Sequence, residues 1–208
     1  MNEAGSACNS AVELSNEFLS SARVFGTSVR EVIERDVLRE VSGGSLSFSQ
    51  LKLLYLVAHT DILRIGDAAA FMGVTCAAAS KAVDKLVRRR LLKRNAPQED
   101  RRIIRLSLAE KGRELMKTYQ TSRDYRAALV FSQFQPEEIR QAAELLDHLA
   151  GAIIGGSAEP DKICMQCEIY FREHCRYGAF GLRTCFYQRH QSQGRRTDRA
   201  GAPEGKVD

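Results

Sequence analysis

Apolar side chains recur at helical spacing along the N-terminal part of the chain. Between Ala11 and Val41 many of them lie three or four positions apart, and Gly43 and Gly44 follow after Ser42. This repeat predicts one long amphipathic helix. The glycine pair predicts its end, because glycine readily adopts the left-handed conformation that closes many helices. We expect a kink near Gly26, inside this helix.

Three shorter helices are predicted next, the last two joined by a tight turn. The Ser-Phe-Ser-Gln sequence of residues 47–50 has the form of a capping box, which marks a helix start. An alanine-rich helix over residues 65–72 ends at Gly73, and Thr75 is a suitable N-cap for a basic helix from 76 to about 90. This pair predicts a helix-turn-helix.

A β-hairpin is predicted after the basic helix. Residues 91–94 and 103–108 have the pattern of short strands, and the polar, proline-containing stretch 95–102 lies between them. Strand, basic loop and strand together predict a wing.

Two further helices complete the pattern, one from 110 to about 131 and one from Pro136 to about Gly151. Their apolar residues, with those of the first helix, exceed what a small winged helix can bury, so we expect a dimer interface. The predicted fold class is mainly α with a small β-hairpin wing, a winged helix-turn-helix flanked by dimerisation helices.

Length and composition agree with a cytoplasmic globular protein. The chain has 208 residues, of which 44% are apolar, enough for a core. Its N-terminus lacks the basic and apolar regions of a signal peptide, and no apolar run is long enough to span a bilayer. Cysteine thiols stay reduced in the cytoplasm, so clustered cysteines there indicate metal or redox sites.

Positive charge is concentrated in the predicted helix-turn-helix and wing. Residues 75–105 carry ten basic and three acidic side chains, a net charge of +7, whereas the whole chain carries +5. A segment more basic than its protein is typical of nucleic-acid binding. The alternative, a solvated helix face, would normally interleave acidic residues at i,i+4.

The sequence resembles the MarR-type winged-helix regulators over roughly residues 10–152. Three positions depart from the family pattern: Ser47 and Ala109 replace threonines, and Arg90 replaces a glycine. The matching segments are Leu46-Ser47-Phe48-Ser49-Gln50, Leu86 to Arg94, Asp100-Arg101-Arg102 and Leu108-Ala109-Glu110-Lys111-Gly112.

This resemblance implies a homodimer on a pseudo-palindromic operator in double-stranded DNA. The helix that Thr75 caps would enter the major groove, and the wing would reach an adjacent minor groove. We expect Ser80 and Lys81 to face base edges. Lys85 and Arg88 would meet phosphates or bases.

The wing and its neighbourhood supply the remaining expected contacts. Arg102 would enter the minor groove, where a narrow A·T tract attracts a guanidinium group. Arg101 and Arg89 would contact phosphates, which position the protein without reading sequence. Asp100 would orient Arg102 or the wing.

A four-cysteine extension follows the family-like region. Its spacing is C-x2-C-x7-C-x9-C, formed by Cys164, Cys167, Cys175 and Cys185. Four thiols this close predict a metal centre, either an iron–sulfur cluster or tetrahedral zinc. Structural zinc sites usually pair two C-x2-C units, so the single unit here favours a cluster, [4Fe-4S], with zinc as the alternative. Cys76, at the start of the basic helix, is a candidate redox residue or else a small packing residue.

These features predict a DNA-binding transcriptional regulator whose operator affinity depends on an iron–sulfur cluster that senses redox state, oxygen, nitric oxide or iron. One alternative is a zinc-stabilised regulator that senses a small molecule, and another is an iron–sulfur repair or redox enzyme. No radical motif, nucleotide loop or catalytic set supports an enzyme. The expected domains are 1–45 and 110–157 for dimerisation, 46–109 for DNA, 158–188 for the metal and 189–208 as a disordered tail.

Overall fold

A computed structural model describes residues 3–60, 65–94, 106–156 and 169–170. The described elements are helices α1 (Glu3–Ser28), a π-helical segment (Val29–Arg35), α2 (Asp36–Ser42), α3 (Phe48–His59), α4 (Ile65–Met72), α5 (Cys76–Arg88), strands β1 (Leu92–Arg94) and β2 (Leu106–Leu108), and helices α6 (Glu110–Phe131) and α7 (Pro136–Gly155). The predicted fold class is therefore confirmed: a mainly helical chain with a small two-stranded sheet.

The first three elements form one continuous helical run, as predicted. It ends at Gly43, whose φ of 60° is left-handed, and the Gly44 amide donates to the Arg39 carbonyl over 2.9 Å. Gly26, where a kink is expected, lies within α1, and the departure from α-helical geometry begins three residues further on, in the π segment. A π turn is wider than an α turn, because its backbone hydrogen bonds join residues five apart. Two side chains of α6 bind there.

Those two contacts join α6 to the π segment. The Tyr119 hydroxyl donates to the Glu34 carbonyl over 3.3 Å, and Arg126 Nη1 donates to the Val32 carbonyl over 3.2 Å. Arg126 Nη2 also reaches both carboxylate oxygens of Glu40 at 2.8 Å. The departure from α-helical geometry thus coincides with the packing of α6.

Helix α3 lies at the centre of the core. Its capping box is present, with Ser47 Oγ accepting from the Gln50 amide and Gln50 Oε1 accepting from the Ser47 amide. Apolar side chains surround this helix on all sides, the pattern of a helix buried all round. Its fully buried residues are Leu51, Leu53, Leu54, Tyr55 and Leu56.

The two strands pair antiparallel, with Leu92 opposite Leu108 and Arg94 opposite Leu106. β1 begins one residue later than predicted because the Leu91 amide donates to the Leu86 carbonyl and closes α5. The remainder of the predicted wing, residues 95–105, lies outside the described residues. Helix α7 continues to Gly155, past the predicted end near Gly151.

Helix α6 starts directly against the backbone of Leu91. The Ala109 amide donates to the Leu91 carbonyl over 3.0 Å, and a Cβ added to Gly112 would lie 2.1 Å from that same oxygen. Only glycine fits this close approach. The glycine in the Leu-x-x-x-Gly segment is therefore a packing requirement between the wing and α6.

None of the described helices is both long and apolar enough to cross a membrane. The predicted domain boundaries stay predictions, since the described residues do not test them. Of the predicted metal-binding segment, only Ile169 and Tyr170 are described.

Candidate nucleic-acid interface

The turn between α4 and α5 has the geometry of a helix-turn-helix. Gly73 ends α4 with a φ of 64°, and the Val74 amide donates to the Ala69 carbonyl over 3.0 Å. Thr75 then caps α5, because its Oγ1 accepts from the Ala78 amide over 3.2 Å. The predicted N-cap is present, and it leaves the first turn of α5 exposed to solvent.

Helix α5 separates an apolar face from a basic face. Its buried residues, Ala79, Val83 and Leu86, belong to the main core. Lys81, Lys85 and Arg88 are exposed and follow one another at i, i+4 and i+7. We call these three residues the basic stripe.

Among the described residues, the basic stripe has no acidic partner. Asp84 lies between its members in sequence, but its carboxylate pairs with Arg94 of β1. The three positive charges are therefore available to an external anion. Of the two predicted base-reading residues, Lys81 is exposed and Ser80 is half-buried.

Arg89, for which the sequence suggested a phosphate contact, has an intramolecular hydrogen-bond partner. Its Nη2 donates to Ser45 Oγ over 2.6 Å, and its Nη1 donates to the Ser45 carbonyl. This fork ties the end of α5 to the loop that precedes α3. Ser45 lies far from Arg89 in sequence, and no local signal pairs the two.

Arg90, which replaces the family glycine, adopts a left-handed conformation with a φ of 60°. Its amide donates to the Val87 carbonyl, and the next amide, that of Leu91, donates to Leu86. This is a helix-closing motif in which glycine is normally preferred. The departure from the family sequence is accommodated without a change of backbone, at the cost of placing a Cβ in a strained region.

Several predicted site residues lie outside the described part of the chain. They are Asp100, Arg101 and Arg102 of the wing and Cys164, Cys167, Cys175 and Cys185 of the extension. Cys76 is described, exposed and free at the start of α5. Within the described ranges, no group of three or more histidine, cysteine or acidic side chains is placed to hold a metal ion.

Comparisons with known proteins agree with this geometry. Residues 44–103 match the sequence profile of the MarR family, MarR_2. The solved structure of the YusO protein from Bacillus subtilis is similar with a TM-score of 0.53 and 25% identity, over 66% of this chain and 97% of that one.

Two further solved structures are similar. For Staphylococcus aureus MarR, solved in complex with salicylate and kanamycin, the TM-score is 0.58 at 16% identity, over 70% of this chain and 95% of that one. For the MarR family transcription regulator SP03579, the TM-score is 0.58 at 17% identity, over 69% of this chain and 93% of that one. No curated protein sequence matches this chain.

The winged-helix fold presents an exposed basic helix, an arrangement typical of DNA-binding proteins. Residues 44–103 carry the MarR family profile, so the resemblance found in the motifs is confirmed for that segment. About a third of this chain lies outside each structural match.

Proposed function

We propose that this protein acts in the cytoplasm as a homodimeric regulator whose affinity for its operator depends on an iron–sulfur cluster in each subunit. The observation that carries the DNA-binding part is the basic stripe. Three cations without acidic partners stand on the exposed face of α5, opposite its buried face. A DNA major groove admits a helix of this kind.

Within this proposal, Ser80 and Lys81 read base edges, while Lys85 and Arg88 bind phosphates or bases. Arg101 binds phosphate and Arg102 enters the minor groove, with Asp100 orienting the wing. Thr75 fixes the first turn of α5, because its hydroxyl accepts a hydrogen bond from the Ala78 amide.

The homodimer rests on the apolar side chains of the flanking helices. Neither α1 nor α7 packs extensively against another described element, apart from the continuation of α1 into the π segment. Large apolar residues on the flanking helices are 40–67% exposed: Val12, Leu14, Leu19, Val24 and Phe25 on α1, Tyr125, Leu129 and Val130 on α6, and Leu145, Leu146 and Ile153 on α7. Exposed apolar area of this extent indicates a partner surface. A second copy would cover it.

The basic stripe is tested with an operator selected from a random duplex library by the purified protein. We expect Lys81→Ala to weaken operator binding by roughly tenfold or more and to lower the salt dependence by about one ion. Lys117→Ala is the matched control, because Lys117 is exposed on α6 and carries the same charge. Equal affinities for the two variants, measured by fluorescence anisotropy, would remove α5 from the interface.

The cluster proposal rests on the spacing of Cys164, Cys167, Cys175 and Cys185. Anaerobically purified protein is expected to be brown, with absorbance near roughly 400 nm and iron and sulfide in the metal assay. Colourless protein containing zinc would replace the cluster with a structural zinc site. In cluster-loaded protein, we expect operator affinity to change when the cluster is removed. Cys175→Ala is expected to abolish that difference.

A further inference from the structure

The short segment Ile169–Tyr170 packs against the winged-helix core. Ile169 is only 4% exposed and belongs to the main hydrophobic core cluster. The Arg123 side chain of α6 donates from Nη1 to the Ile169 carbonyl over 3.3 Å. Its guanidinium carbon lies 5.1 Å from the centre of the Tyr170 ring, a cation–π distance. Three kinds of contact therefore hold two consecutive residues.

Ile169–Tyr170 also lies close to the π segment. Arg123 is 13% exposed and is paired with the Asp124 carboxylate at 2.6 Å, so its guanidinium is fixed beside Tyr170. Tyr170 is 41% exposed, and the partial burial of its hydroxyl, followed by the nearby Glu34 carboxylate, raises its pKa. Glu34 belongs to the π segment and is itself only 8% exposed. The segment thus lies where α6 meets the π segment.

The same junction holds the contact between Tyr119 and Glu34. The Tyr119 hydroxyl of α6 donates to the Glu34 carbonyl of the π segment. Tyr55 of α3 is also buried there, and its hydroxyl has no hydrogen-bond partner among the described residues. Burial raises the pKa of both the Tyr55 and the Tyr119 hydroxyl, and the nearby Arg123 guanidinium opposes that rise. A change in the position of Tyr170 would consequently alter contacts made by the π segment, α3 and α6.

In sequence, Ile169 and Tyr170 lie between two proposed ligands of the cluster. Cys167 precedes Ile169 by two residues, and Cys175 follows Tyr170 by five. Two residues of chain span at most about 7 Å, so a ligand at Cys167 constrains the position of Ile169 directly. Building or dismantling a cluster on these cysteines must either preserve the contacts of Ile169–Tyr170 or break them.

We propose that Ile169–Tyr170 is an anchor through which the four-cysteine segment docks on the α6–π junction, and that the state of the cluster acts on DNA binding through this contact. The proposal rests on the proposed function. With the anchor seated, Arg123, Tyr119 and Glu34 hold the π segment against α6. With the anchor released, the π segment loses that support, and α1 with its apolar face is no longer fixed relative to the recognition helix. Docking biases a two-state element at a distance from the DNA.

The test uses the full chain with Ile169→Ala and Tyr170→Ala combined. Operator affinity is measured with cluster-loaded and cluster-free protein, using the selected duplex. The wild type is expected to show a ratio of roughly tenfold or more between the two states, within the usual range of allosteric coupling. The double variant is expected to keep its iron content and 400 nm absorbance while the ratio falls to about one.

Hydrogen exchange supplies a second readout that does not depend on DNA. In the double variant, amides of residues 29–35 and 119–126 are expected to exchange roughly tenfold faster or more, while those of 51–57 in α3 keep their protection and show that the core is folded. Tyr170→Phe is the matched control, because it keeps the ring beside Arg123 and removes only the hydroxyl. It is expected to retain most of the ratio.

The outcomes separate the anchor from the proposed function. A double variant that holds the cluster and keeps both the wild-type ratio and the wild-type exchange rates overturns the anchor, and leaves the cluster-dependent regulator standing. Wild-type protein with equal affinities in both cluster states overturns the proposed function, and the coupling with it. Loss of iron from the double variant alone also overturns the anchor, because it would make these residues part of the cluster site.

Discussion

The helices around α3 and the helices that flank them use apolar side chains in opposite ways. In the winged-helix core, residues such as Leu54 and Val83 are fully buried within one chain. On α1 and α7, residues of the same kind, such as Leu14 and Leu145, are more than half exposed. A single copy therefore buries the apolar residues of the winged-helix core but leaves those of the flanking helices exposed to solvent. The core residues therefore stabilise the folded chain, and within our proposal the flanking residues form the dimer interface.

Leu54→Ala tests the core side of this comparison and has the largest expected effect. Removing a fully buried leucine leaves a cavity and should lower the free energy of unfolding by about 3–4 kcal/mol. Urea denaturation followed by circular dichroism measures it.

Leu145→Ala is the counterpart on α7. The proposal expects it to weaken self-association, seen by sedimentation as a shift toward monomer at low concentration, with little loss of core stability. A sedimentation profile identical to that of the wild type would place the dimer interface elsewhere.

Gly112→Ala is expected to destabilise by about 2–3 kcal/mol, because the new methyl group collides with the Leu91 carbonyl. Its matched control is Gly26→Ala in α1, where nothing lies within 4 Å of the added Cβ. An alanine in an open helical position should stabilise by about 0.5–1 kcal/mol. Melting temperatures that move in the same direction for the two variants would contradict the close approach of α6 to the wing.

Arg90→Gly has the smallest expected effect and the opposite sign. Relief of the left-handed strain should raise the free energy of unfolding by about 1 kcal/mol. Arg90→Ala serves as the control, since it removes the charge and keeps the Cβ. A gain of equal size in both variants would show that charge repulsion, and not backbone strain, limits stability at the end of α5.

Features that depend on neighbours within a few residues were predictable from sequence. The capping box at Ser47, the N-cap at Thr75 and the glycine stops at Gly43 and Gly73 are all present. Each is a hydrogen bond or a backbone conformation set within one helical turn. The family motifs then placed these local pieces in a known order, and the MarR profile agrees with it.

Features that depend on distant residues were not predictable. The first helix becomes π-helical where α6 donates to the carbonyls of Val32 and Glu34, a long-range contact that local glycine content does not reveal. Arg89 binds Ser45 across the loop before α3, a contact between distant residues that no local pattern indicates. Asp84, counted as one of three acids in the basic region, is occupied by Arg94.

By itself, the amino-acid sequence determined the order of helices and strands, the basic character of α5 and the set of four clustered cysteines. Each of these depends only on the local spacing and charge of residues. The tertiary structure decided which cations lack a partner, where the long helix departs from α geometry, and that Ile169 is part of the core. Those outcomes depend on side chains brought together from distant positions, and burial and hydrogen-bond geometry are properties of that assembly alone.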